Sequence, residues 1–429
     1  RCPRPARLRV ALWASLCWVL GAPTAAAWTP VEGPDAPVPT PRAVAVQVTG
    51  VAGVPGDVAA DIVHLRALRA KARHREVARG TARLVKRTRR LGRHHPVYLM
   101  ILRMDADACL AVGNAPHLKR ARKQLKTLIE RQRRELGARH PEVAGLRVRL
   151  ARVLLRLGHK RAAFRQASRA GKAMLRSAAR IIPRMSVRAR WAYQRRIGAP
   201  FHLLVDMAAR HAPEAKQERW AREAAALWLR YQGLVPDSLR VQRAALARAK
   251  DPKVRAAMAA VTATRQRIVA LRARLVKQPA ARQAVHRALD RALWKLDQQE
   301  RRLFARVVRV ARRALVKRLK LREVQRRLGD QGVLVVHVRY RRPNLGQRAP
   351  GARHQAAFVI RGQRRAKITV VSLGRAPLRQ LVQRVARAAR QVALVTSPGR
   401  SASPPELAGC QVSCYASVRS FLERAPRKG

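Results

Sequence analysis

The chain has 429 residues, more than one domain of ordinary size, so two or three structural units are expected. Apolar residues make up 48% of it but aromatic ones only 4%, which leaves Ala, Leu and Val to build the core and favours closely packed helices. A net charge of +71, from 94 Lys and Arg against 23 Asp and Glu, leaves most basic side chains without an acidic partner, so any polyanion binds and nucleic-acid affinity alone indicates no function.

The chain opens on Arg1, as a fragment or an atypically started reading frame does. Arg1, Arg4, Arg7 and Arg9 precede an apolar run from Val10 to Ala22, and Ala25-Ala26-Ala27 offers a small-residue cleavage site before Trp28. Residues 1–27 therefore read as a signal peptide, the alternative being an N-terminal anchor or a buried helix. The run is too short to span a bilayer, and no membrane span is expected after cleavage. A used signal implies a periplasmic or secreted protein, and an unused one a cytoplasmic protein. Cys17 sits in a poor lipoprotein context, and Cys109, Cys410 and Cys414 lack metal spacing and accompanying His ligands. No metal or cofactor is expected. Residues 28–58, rich in Pro, Ala, Val and Gly, read as an extended linker.

Helical spacing begins near Asp61, as in Leu118, Ala121, Leu125 and Leu128, or Leu146, Leu150, Val153 and Leu154. The most informative feature is an internal repeat. Leu91-Gly92-Arg93-His94-His95-Pro96-Val97 recurs from Leu136 as Leu-Gly137-Ala-Arg-His140-Pro141-Glu-Val143, 45 residues on. Leu110-Ala111-Val112-Gly113 recurs as Leu155-Arg156-Leu157-Gly158 at the same interval. Helix-turn-helix units account for both landmarks: Gly113 and Gly158, near the first helix's end, are expected to allow a tight turn and a close approach of the second helix at a tight crossing, and Pro96 and Pro141 start helices where no amide donor is needed. His95 and His140 are expected to cap and pack at the turns, and only as the lesser alternative, with His94, to bind metal. Residues 61–90 hold a degenerate first unit, with Ala78, Leu84 and Val85 on its second helix, and Pro183 closes the array. The junction resembles tetratricopeptide repeats of the longer kinesin-light-chain-like kind, which implies a stacked array at 59–183 that binds proteins or peptides.

Helices continue through residues 184–320 without the period. Two long ones follow Gly233-Leu234-Val235-Pro236-Asp237-Ser238-Leu239: one carries Val261, Ile268, Leu271 and Leu275, the other Leu289, Leu296, Leu303 and Val310, parted at Gln278-Pro279, which predicts an antiparallel helical hairpin. Its Arg-rich outer face reads as solvated, with a nucleic-acid surface as the lesser alternative. At 321–391 the character changes. Leu321–Leu328 predicts a short amphipathic helix, and Val333–Tyr340, Ala356–Ile360 and Lys367–Leu373 predict a strand meander.

The order of Gly-Leu-Val-x-Asp-Ser-Leu, long hairpin, Val324-Gln325-x-x-Leu328, Val-rich strand ending in Tyr340, and Ala357-Phe358-Val359-Ile360 before Leu373-Gly374 resembles the opening of bacterial CHAT domains, which are caspase-like and commonly follow tetratricopeptide arrays. The expected fold class is therefore mainly α, a helical repeat array and hairpin followed by a partial α/β unit. A CHAT peptidase needs a His-Gly and a Ser-Ala-Cys-x-Thr-Gly-like segment, and neither occurs. Cys410 in Leu407–Ser413 lies too soon after the strands to serve as the nucleophile, and residues 392–429 read as a disordered tail left by natural truncation or a frame error. The expected function is a non-catalytic protein-binding scaffold with no catalytic, cofactor or metal residues. The alternatives are a CHAT-family cysteine peptidase whose catalytic half is missing, and a basic nucleic-acid-binding helical protein.

Overall fold

The computed structural model describes residues 55–92, 95–278, 281–315, 321–328, 333–341, 353–362 and 368–374. Residues 1–27, which read as a signal, most of 28–58, which read as a linker, His94, Pro279, Cys410 and residues 392–429, which read as a tail, lie outside them. The described part is mostly helical with one small sheet. No described helix is long and apolar enough to cross a membrane.

Three helical hairpins come first: α1 (Gly56–Ala70) with α2 (His74–Thr88), α3 (Pro96–Val112) with α4 (Ala115–Leu136), and α5 (Pro141–Arg156) with α6 (Lys160–Ile181). Each helix packs on the next. The cause is visible in the apolar spacing: Leu118, Ala121, Leu125 and Leu128 form one buried stripe on α4, and full burial of each Leu contributes roughly 1.5–3 kcal/mol. The buried face of α6 is built largely from Ala163, Ala167, Ala170, Gly171, Ala173 and Ala178, small enough to let neighbouring helices approach closely.

The turns explain the 45-residue recurrence. Gly92 has φ 97 and ψ 150, Gly137 φ 83 and ψ 155, a region closed to residues with a Cβ. After each, a His amide donates to the glycine carbonyl at 3.2 Å, and Pro follows at the first helical position. His95 Nδ1 accepts from Val97 N and His140 Nδ1 from Glu142 N, both at 3.3 Å, so both rings cap helices.

Gly113 and Gly158 sit at the expected turns but correct the expectation of a crossing. They lie at helix ends with φ 79 and 78, not at helix crossings. No atom beyond the chain neighbours lies within 4 Å of a Cβ built on Gly158, and the nearest atoms to one on Gly113 are those of the Arg156 guanidinium, the far end of a flexible side chain. What glycine supplies there is the left-handed backbone. His159 N donates to Leu154 O at 2.8 Å and Gly158 N to Leu155 O at 3.1 Å, the paired bonds that close a Schellman turn. The first hairpin makes the same turn with Arg73 N to Leu68 O and Ala72 N to Arg69 O, and there a non-glycine, Ala72, adopts φ 55. Among the described glycines, close approaches are found instead at Gly80, against Leu65, at Gly171, against Phe201 and Leu204, and at Gly198, against the Tyr231 hydroxyl.

Beyond the hairpins come α7 (Val187–Arg196), α8 (Ala199–Arg210), α9 (Gln217–Gln232) and α10 (Leu234–Ala247). Helices α11 (Pro252–Lys277) and α12 (Arg282–Leu315) form the long hairpin. Ile268 and Leu271 cluster with Val285 and Ala292, whereas Val254 and Val261 cluster with Leu303 and Phe304, so near ends meet near ends and the pair is antiparallel. Arg190 of α7, wholly buried, ties this hairpin down: its Nε donates to Met185 O at 2.8 Å, its Nη1 to Ser238 Oγ at 3.0 Å, and its guanidinium lies 4.5 Å over the Phe304 ring. Ser238 belongs to the Gly-Leu-Val-Pro-Asp-Ser-Leu segment on α10.

Helix α13 (Leu321–Leu328) precedes strands β1 (Val333–Arg341), β2 (Arg353–Arg361) and β3 (Thr369–Gly374), an antiparallel meander in which Val336 pairs with Phe358 and Phe358 with Val370. Alternation decides the faces. Leu334, Val336, Val338, Tyr340, Phe358, Ile360 and Val370 join the same buried core as the helical array, and Val335, Ala357 and Val371 form a small cluster on the other face.

Candidate functional site

Two surfaces concentrate chemistry. The first runs across α1, α3 and α5, the leading helices of the three hairpins. Asp107 on α3 sits between Arg149 of α5, at 2.8 Å, and Arg69 of α1, at 3.5 Å. Arg103 of α3 pairs with Glu142 of α5 at 3.4 Å. Arg152 beside them is held below its ordinary pKa by burial first and by Arg149 second, with Asp107 pulling the other way. One row of alternating charge thus links all three leading helices.

The second surface is a cleft of about 260 Å³ between α6 and α9. Its floor is the stacked pair Phe164 and Trp220, ring centroids 4.2 Å apart, which are only 3% and 4% exposed. The walls come from Arg161, Arg165, Arg169 and Lys172 on α6 and from Lys216 and Arg219 facing them. Residues four apart share a helix face, so the α6 row forms a stripe of roughly 16 Å at 1.5 Å rise per residue. One carboxylate, Glu223, lies among these cations. Lys172 Nζ donates to its Oε1 at 2.6 Å, and the Ser168 hydroxyl donates to the same oxygen. Burial alone raises the Glu223 pKa, but the Lys172 and Ser168 bonds and the charges of Lys172 and Arg219 outweigh it and leave the value lowered. A carboxylate whose proton affinity is lowered is a weaker general base toward the serine hydroxyl.

Comparison with protein-family models, with curated sequences and with solved structures found no match.

The sequence-selected residues Gly92, His95, Pro96, Gly113, Gly137, His140, Pro141 and Gly158 all lie at turns or helix starts. They set the geometry of the hairpins, and none lines the cleft. Among the described residues no three His, Cys, Asp or Glu side chains gather as a metal site. Cys109 is a buried free thiol, pushed up to about 12 by burial first and then by Asp105, so it stays protonated and is no nucleophile. Asp105 is itself buried and held by Thr81 Oγ1 at 2.6 Å, by Arg120 Nε at 2.8 Å and by Gln124. That network joins α2, α3 and α4 and is structural. Sequence reading missed the cleft because Arg at four-residue spacing recurs throughout this chain, and only the crossing of α9 over α6 sets this row apart.

Proposed function

We propose that the chain is a protein-binding scaffold of tetratricopeptide type, leading into residues that resemble the opening of a CHAT-type caspase-like unit. The observation that carries this reading is that the two Leu-Gly-x-x-His-Pro junctions, 45 residues apart, have the same glycine conformation, the same His cap and the same Pro start. Units joined identically stack with a constant offset, and their leading helices then line one continuous face. The charged row on α1, α3 and α5 gives that face directional contacts for a peptide or protein, whereas protonated, buried Cys109 offers no support for peptidase chemistry.

The test is selection of peptides from a displayed random library against the full chain in 0.5 M salt, where screening suppresses general attraction to a cation-rich surface. A consensus with apolar positions, whose binding is lost in the Arg103→Glu/Arg149→Glu double variant, supports the scaffold. Enrichment of nothing but acidic sequences that wash off as salt rises contradicts it.

A further inference from the structure

We propose that the cleft between α6 and α9 binds an acidic peptide segment of a partner protein, with an apolar side chain on the Phe164–Trp220 floor and carboxylates along the Arg161, Arg165 and Arg169 row. The proposal rests on the reading of the chain as a protein-binding scaffold, but places a second site outside the face of leading helices.

Charge complementarity is the first argument. Six cations line the cleft against the single carboxylate of Glu223. Glu223 neutralises Lys172 through the 2.6 Å bond, while Arg161, Arg165, Arg169 and Lys216 form no ion pair among the described residues. Crowding of these cations reaches into the next helix: the Arg147 guanidinium on α5 is lowered by burial first, and next by the charge of Arg169. An incoming anion relieves that repulsion, which an ordinary solvated Arg on an open helix face does not offer.

Shape decides the class of anion. A free phosphate or carboxylate occupies one guanidinium, but the row of Arg161, Arg165 and Arg169 runs along about two turns of α6 and suits several carboxylates spaced along an extended chain. A single-stranded nucleic acid carries enough charge, yet its affinity on such surfaces draws on bases stacked against exposed aromatic faces. Here both rings are stacked on each other and almost wholly buried, so no ring face is open to a base. The one apolar side chain of the proposed peptide is placed in the cleft volume of about 260 Å³ above the ring edges, along the aliphatic stems of the surrounding Arg side chains.

The experiment is fluorescence anisotropy on the full chain at physiological salt, with a labelled peptide of glutamates around one leucine. Three variants each exchange two exposed or half-exposed cations: Arg161→Glu/Arg165→Glu in the cleft, Arg103→Glu/Arg149→Glu on the face of leading helices, and Arg287→Glu/Arg291→Glu on remote α12. An oligothymidylate of equal charge serves as competitor. The cleft variant is expected to weaken the peptide by about tenfold or more, with the α12 pair changing it less than about twofold. The oligonucleotide is expected to displace the peptide poorly. Equal losses in all three variants, or full displacement by the oligonucleotide at equal charge, overturn the proposal in favour of undirected polyanion binding. Loss confined to the Arg103/Arg149 variant overturns the cleft while leaving the scaffold reading intact.

Discussion

Ala72 shows most directly how a residue is held by the fold against its own preference. It closes the Schellman turn of the first hairpin at φ 55, where Gly158 closes the equivalent turn at φ 78. A left-handed backbone costs a residue with a Cβ about 1–2 kcal/mol, part of which glycine returns as greater entropy in the unfolded chain. Ala72→Gly is therefore expected to stabilise the protein by up to about 1 kcal/mol in urea unfolding, and a destabilised variant would show that the turn is not strained. Glu223 gives a pH test at the same scale. Its folded pKa lies below the ordinary 4.5, so its contribution is complete above that value and is lost as pH falls through the lowered folded one. Acid titration of stability should accordingly be shallower below that value in Glu223→Gln than in the parent. Equal slopes would mean that Lys172 and Ser168 do not hold the carboxylate.

The elements differ in how far the sequence announces them. Helices α4, α5 and α11 are legible because their apolar residues recur at helical spacing, and the three strands because short apolar runs holding Val, Ile or Phe are bounded by polar or Gly-containing segments. The turns at Gly113 and Gly158 were legible but the absence of a crossing there was not: a sequence shows where glycine falls but not its φ, and tight turns and tight crossings use the same residue. Gly80 and Gly171, which do sit at close approaches, carry no motif. Nor is Arg190 distinguishable from the other basic residues until folding buries it. Burial lowers its pKa to about 10, with Glu300 opposing, so it stays charged at neutral pH and depends on Met185 O, Ser238 and the Phe304 ring. Removing Arg190 leaves the buried Ser238 hydroxyl and the Met185 carbonyl without this donor, at a cost of roughly 1–3 kcal/mol for each group left unsatisfied. Arg190→Ala should free the α11–α12 hairpin, seen as faster limited proteolysis within it, while Arg287→Ala on its exposed side leaves the cleavage rate unchanged. Equal rates in Arg190→Ala and the parent would remove Arg190 as the tie.

At the scale of the whole molecule, the excess of cations opposes compaction everywhere, because 94 basic residues face only 23 acidic ones. Screening shortens that repulsion to about 8 Å at physiological ionic strength. The thermal midpoint should therefore rise between low and physiological salt, and a flat or falling midpoint would mean that local ion pairs such as Asp107 with Arg149 outweigh the global field. The array itself depends on two junctions being physically the same. Urea unfolding of the full chain with Gly92→Ala, Gly137→Ala and, as a helix control, Gly145→Ala tests this most directly. The first two place a Cβ in a conformation reserved for glycine, with no atom within 4 Å to clash, and each should cost about 1–3 kcal/mol by backbone strain alone. Gly145 lies within α5 with open space around its Cβ, so alanine there should stabilise by about 0.5–1 kcal/mol. Matching losses at Gly92 and Gly137 against a gain at Gly145 are the predicted result; no loss at either junction, or a loss at only one, would contradict the repeat on which the scaffold reading stands.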